Sequence, residues 1–140
     1  MPLAAGDLLT RARGVITRVS AEDLPAAVAS GALLVDIRPA AQRQAEGALA
    51  GAVVVERNVL EWRFDPTGAH CLPEARDPER QVVLVCSEGY ASSLAAAVLT
   101  ELGYRHAGDL VGGYRALVPT GPRCAPDPAA GARDADAPHC

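Results

Sequence analysis

The chain has 140 residues and a formal net charge of -4; all 13 of its basic residues are Arg, and there is no Lys. This length fits one domain with one sizeable core, and the lack of Lys excludes Schiff-base and pyridoxal-phosphate chemistry and a Walker-type phosphate loop. Mild acidity without a basic block, and few aromatic residues, argue against a nucleic-acid binder.

Ala makes up one residue in five, so the hydrophobic fraction of 49% overstates the core. The larger apolar side chains still suffice for one compact α/β domain. No apolar run approaches the ~18 residues of a membrane span. Residues 1–14 lack a charged start followed by an apolar stretch, so no signal peptide is visible. The expectation is a soluble cytoplasmic protein without a membrane contact. Cys71, Cys86, Cys124 and Cys140 show no close pair at zinc-ligand spacing. In a reducing cytoplasm they read as free thiols.

Residues 1–13 read as a short lead with one or two amphipathic turns, and 14–118 as the folded domain. Residues 119–140 hold five Pro, two Gly and six Ala; they bury too little to offset ordering entropy and read as a disordered tail. Val15 to Val19 predicts a short strand. Ser20 is a good N-cap for a helix over Leu24 to Ala29 that stops near Gly31. Leu33 to Val35 predicts a buried strand closed by Asp36, and Pro39 opens a helix running to Gln44. Ala52 to Val55 is the next strand, and Asn58 to Trp62 can form a helical turn. Val82 to Val85, four large β-formers in a row, is the clearest strand. Ser92 to Leu102 is the clearest helix, capped by Ser92 or Ser93 and stopped by Gly103. A last strand over Ala107 to Leu110 and a turn of helix over Tyr114 to Leu117 complete the pattern. Strands alternating with helices predict a parallel sheet of about five strands with helices on both faces. Ligands then bind beyond the carboxyl ends of the strands, near Asp36, Arg57 and Cys86.

The strongest chemical signal joins the best strand to the best helix: Cys86-Ser87-Glu88-Gly89-Tyr90-Ala91-Ser92-Ser93. Backbone N–H groups of a tight loop and the positive end of the following helix converge there, which suits an anion and favours thiolate over thiol. Gly89 lets the loop curl. The plain alternative is a buried, inert cysteine at a strand end.

This loop resembles the active-site loop of the rhodanese-like sulfurtransferases: strand, Cys, two residues, Gly, then a helix. Val35-Asp36-Ile37-Arg38 resembles the family's early Asp-x-Arg. Gly47 to Val53 resembles its Gly-His-Ile-Pro-Gly-Ala segment. Leu110-Val111-Gly112-Gly113-Tyr114-Arg115-Ala116-Leu117 resembles its closing Gly-Gly-x-x-Ala-Trp. The match runs from about residue 15 to 118. The resemblance implies an α/β rhodanese-like fold and catalysis by Cys86, with Ser87, Glu88, Gly89, Tyr90, Ala91 and Ser92 around the substrate. It implies a sulfur donor such as thiosulfate, mercaptopyruvate or a persulfide, a thiol or cyanide acceptor, and neither metal nor organic cofactor. A carrier module that holds persulfide or docks a protein partner is the alternative.

Three departures from the family pattern bear on the donor. Ala91 stands where the family often has Arg or Thr. Glu88 places a negative charge in the loop, repelling a dianion by roughly 1 kcal/mol. Ala48 and Ala50 replace the family's His and Pro. A neutral or organic donor, or a protein persulfide, fits this loop better than thiosulfate. A phosphatase would need a longer loop ending in Arg, and none is present. Arg57, in the segment 57–63, could supply a donor-binding wall together with Arg63; otherwise the segment is a surface helix with Trp62 anchored in the core. Asp36 and Arg38 are expected to brace the site, Asp36 through local N–H groups and Arg38 by an ion pair. Tyr90 either shapes the loop entrance or simply packs. Cys71 could be a resolving thiol, and Cys124 or Cys140 could reach Cys86 from the tail, since 22 residues of coil span roughly 25 Å; the plainer reading is stray thiols. His70, His106 and His139 form no ligand set.

Overall fold

The computed structural model describes residues 2–118, so the 119–140 expectation lies outside the described residues. The elements are α1 (Ala5–Arg13), β1 (Thr17–Val19), α2 (Leu24–Ala29), β2 (Leu33–Asp36), α3 (Ala40–Glu46), β3 (Val53–Val54), a 3-10 turn (Arg57–Val59), α4 (Leu60–Arg63), a second 3-10 turn (Pro73–Ala75), β4 (Val82–Val85), α5 (Ala91–Glu101), β5 (Ala107–Leu110) and α6 (Gly113–Leu117). The strands form one sheet in the order β1-β5-β4-β2-β3, and every pairing is parallel. This is the five-stranded α/β sheet expected from the sequence.

Successive side chains of a strand point to opposite faces, and both faces of the central strands are covered. Leu33 and Val35 of β2 join Val82 and Leu84 of β4 in one core, under Leu60 and Phe64 of the α4 segment and Ala95, Ala96 and Leu99 of α5. Leu34, Val83 and Val85 point the other way, into a second core with Leu24 of α2 and Leu117 beyond them. All four residues of β4 are buried. Fully burying a Val or Leu side chain contributes about 1.5–3 kcal/mol, which explains why β4 forms the middle of the sheet and why Cys86 directly after it is held rigidly.

Three features differ from the expectations. The lead contains a nine-residue helix, α1, which packs along α5 and buries Ala12. Trp62 is 59% exposed. The anchors are Leu60 and Phe64, one helical turn apart on the inward side, with Phe64 edge-on to Tyr104 at 5.3 Å. Finally, α5 starts at Ala91 without a side-chain cap. The hydroxyls of Ser92 and Ser93 turn instead to Asp109 on β5, at 2.8 and 2.7 Å. Ser92 and Ser93 lie inside the first turn of α5, past the cap position, which Tyr90 holds, and a buried carboxylate is a strong acceptor for their hydroxyls.

Candidate active site

Cys86 leaves the carboxyl end of β4 with its residue only 1% exposed. Its Sγ receives two backbone N–H groups, from Gly89 at 3.2 Å and Ser92 at 3.3 Å. The second belongs to the first turn of α5, so the positive end of that helix faces the sulfur. The Ser92 hydroxyl lies 3.2 Å from the same sulfur. Gly89 has φ +89°, and a Cβ there would come within 2.9 Å of the Gly112 nitrogen.

The carbonyls of the loop point the other way. Tyr114 N–H donates to the Cys86 oxygen at 2.8 Å and Arg115 N–H to the Ser87 oxygen at 3.1 Å. The start of α6 thus engages the loop carbonyls while two loop amides face the sulfur. This contact needs Gly113, whose φ is +65° and whose Cβ would meet the Ser87 oxygen at 2.6 Å and also collide with the Cys86 carbonyl. Gly113→Ala is expected to destabilise the protein by more than ~1 kcal/mol, seen as a lower urea midpoint with unchanged slope.

Positive charge reaches the loop from outside it. Arg13 of α1 donates to the Gly89 carbonyl at 2.8 Å and to Ser93 Oγ at 3.1 Å, and its guanidinium lies 5.8 Å from the Tyr90 ring centre. Arg18 of β1 donates to the same carbonyl at 3.2 Å while forking onto both oxygens of Asp109 at 2.9 and 3.2 Å. Tyr90 itself is 43% exposed at the loop surface. Ala91 begins α5 half-buried, its methyl packed against the core. Arg57 is engaged by Glu61, donating to its two carboxylate oxygens at 3.1 and 3.2 Å. Arg63 donates to the His70 carbonyl at 2.7 Å. Glu88 is not the uncompensated charge its sequence position suggests, because Arg115 pairs with it at 3.0 Å. The repulsion expected for an anionic donor is correspondingly reduced.

On the other side of the loop, Asp36 ends β2 and accepts from the Arg38 backbone N–H at 3.1 Å. The Arg38 guanidinium forks onto the same carboxylate at 3.0 and 2.7 Å and donates to Glu46 at 3.1 Å and to the Gly47 carbonyl at 2.9 Å. The Tyr114 ring lies over it at 4.0 Å. Burial alone would lower the basicity of Arg38, but hydrogen bonds and charge from Asp36 and Glu46 outweigh it and hold the guanidinium above its ordinary value. The Ser87 hydroxyl lies 2.9 Å from Glu46 and 2.8 Å from Gln42. Arg38 is thereby linked through Glu46 to the residue next to Cys86.

A model of the rhodanese-like domain matches residues 20–119. The chain belongs to the rhodanese-like family. A rhodanese homologue from Thermus thermophilus is 35% identical, with a TM-score of 0.54 over 72% of this chain and 100% of the homologue. The human single-domain sulfurtransferase TSTD1 is 27% identical, with a TM-score of 0.58 over 71% of this chain and 92% of that protein. A Rhodopseudomonas palustris protein of unknown function, named as a possible tyrosine phosphatase, shares the fold over 100% of this chain and 96% of its own, at 24% identity and a TM-score of 0.75. A search of curated proteins returned no match. Arg13 and Arg18 of this rhodanese-like protein both lie before the matched residues.

Cys71 is buried and its Sγ donates to the Leu72 carbonyl at 3.4 Å. It neighbours Tyr104, whose phenol donates to the Ala75 carbonyl at 2.6 Å and is pushed above its ordinary range by burial first and then by Cys71. Cys124, Cys140 and His139 lie outside the described residues. Among the described residues, no group of three or more His, Cys, Asp or Glu could hold a metal ion, and no helix is long and apolar enough to cross a membrane.

Proposed function

We propose that this rhodanese-like protein is a sulfurtransferase that carries a sulfane sulfur on Cys86. The observation that supports this reading most is the pair of amide donors at 3.2 and 3.3 Å from a buried Cys86 Sγ. They stabilise negative charge on sulfur, both as thiolate and as the terminal sulfur of a persulfide. With thiosulfate, the thiolate forms an S–S bond to the outer sulfur, the donor's S–S bond breaks, and sulfite leaves with the electron pair. An acceptor thiolate or cyanide then attacks the terminal persulfide sulfur, and Cys86 leaves as thiolate. Ser87, Glu88, Gly89, Tyr90, Ala91 and Ser92 line this path. Asp36 and Arg38 brace it from β2.

The donor we favour is an organic or protein-borne sulfur, because Ala91 offers no donor group to an oxyanion and Glu88 occupies Arg115. Glu88→Gln removes one negative charge and releases Arg115 from that partner. The expected result is a roughly two- to fivefold rise in thiosulfate kcat/KM, at most about 1 kcal/mol, because pairing with Arg115 already offsets part of the Glu88 charge. Steady-state rates with thiosulfate and 3-mercaptopyruvate measure it, and equal rates in both proteins would remove Glu88 as the determinant.

Ala91 also favours the carrier reading, in which the persulfide is held but turned over slowly. Both readings are tested by incubating the protein with thiosulfate, 3-mercaptopyruvate or glutathione persulfide and measuring intact mass. A gain of one sulfur atom mapped to Cys86, followed by thiocyanate production with cyanide, supports the enzyme. Loading without turnover identifies the carrier. No added sulfur from any donor overturns both.

A further inference from the structure

Asp109 was not among the residues singled out from the sequence, and its position beside the loop gives it a specific effect on Cys86. Its side chain is fully buried at the end of β5, fixed by the two-pronged contact with Arg18. The Ser92 hydroxyl donates to its Oδ2 at 2.8 Å, and the Ser93 hydroxyl approaches the same oxygen at 2.7 Å. A serine hydroxyl has one hydrogen and two lone pairs. With the hydrogen of Ser92 directed to Asp109, the oxygen presents a lone pair to Cys86 Sγ at 3.2 Å. A lone pair accepts a thiol S–H but opposes a thiolate.

We infer that Asp109, acting through Ser92, is a positioning residue that restrains ionisation of unloaded Cys86. It works against the two amide donors of the loop. With Ser92 so oriented the unloaded sulfur is a poorer target for oxidants and electrophiles, and it gains a third donor beside the two amides when Ser92 turns its hydrogen from Asp109 to the sulfur. A persulfide does not meet this restraint, since its inner sulfur carries neither the proton nor the full charge. This inference rests on Cys86 as the sulfur-bearing residue proposed above.

The other charged groups around the sulfur are arranged differently. From β2, Asp36 is matched by Arg38; from the loop, Glu88 by Arg115 of α6. Glu46 of α3 sits between Arg38 and Arg115 at 3.1 and 3.5 Å. Arg13 of α1 engages neutral oxygens and the Tyr90 ring. Asp109 is thus the carboxylate joined to Sγ through a single hydroxyl, among the described residues.

The test is the rate of Cys86 carbamidomethylation by iodoacetamide across pH, scored by peptide mass, together with thiolate ultraviolet absorbance. In Asp109→Asn the acceptor shared by Arg18, Ser92 and Ser93 loses its charge, and a neutral amide holds the Ser92 hydrogen less strongly than a carboxylate. Ser92 can then turn its hydrogen to the sulfur more readily. The rate profile is expected to move to lower pH, with alkylation near neutrality faster by roughly tenfold, the factor for one unit of displacement. Ser92→Ala removes the opposing lone pair and should also accelerate alkylation, by a smaller factor; it carries the test if Asp109→Asn fails to fold. Unchanged or slower alkylation in a folded variant overturns the inference. No sulfur donor is involved, so that outcome leaves the sulfur-loading experiment intact, and absence of sulfur loading leaves this measurement intact.

Discussion

Cys86→Ala loses sulfur loading altogether, a fall in cyanide-dependent thiocyanate production of at least ~10³-fold, while the fold survives. The loss follows because the chain offers no second sulfur in a comparable setting among the described residues. Cys71 is also buried, yet its thiol faces a carbonyl oxygen, the Leu72 O at 3.4 Å, which opposes a thiolate. Cys86 Sγ faces two N–H groups. Cys71→Ala should accordingly keep its loading. The fold survives in Cys86→Ala because the loop carbonyls remain tied to Tyr114 and Arg115 and the flanking Val82–Val85 core is untouched. Intact mass after donor treatment and the thermal unfolding profile check the two halves separately. Turnover that persisted in Cys86→Ala would sink the mechanism.

The parts of this site that were legible in the sequence are those set by neighbouring residues. Val82 to Val85 reads as a buried strand because four β-formers stand together, and Ser92 to Leu102 reads as a helix stopped by Gly103. Their junction places Cys86 and Gly89 without further information. The charges around the loop were not legible, because they arrive from far along the chain. Arg13 meets Gly89 across 76 residues and Arg18 meets Asp109 across 91. A faint signal existed: Arg18 and Asp109 each interrupt a short apolar strand, and they prove to be register partners on adjacent parallel strands. Buried or half-buried charges in strands require a partner, but the sequence holds many candidates and does not name the pairing. Glu88 shows the same limit. Its sign is visible in the sequence, whereas its compensation by Arg115 depends on the turn at Gly112-Gly113 that brings α6 under the loop.

Arg38→Met is expected to cost about 3–5 kcal/mol of stability, the range for removing one member of a buried ion pair. The reason is the position of Asp36. That carboxylate is 1% exposed, and the guanidinium supplies two of its three hydrogen bonds. Met fills much of the same volume, so the loss isolates charge and hydrogen bonding from packing. Since small proteins are stable by only about 5–15 kcal/mol in total, the variant sits close to unfolding, and its urea midpoint falls steeply. Adding Asp36→Asn removes the stranded charge and should recover part of the loss; this non-additivity separates an ion pair from a packing role. The same substitution reaches the loop. Glu46 loses one of its two cationic partners, and it is an acceptor beside the Ser87 hydroxyl at 2.9 Å. Sulfur loading should slow in Arg38→Met even below its unfolding temperature, whereas a brace independent of the loop would change the urea midpoint and leave the loading rate alone.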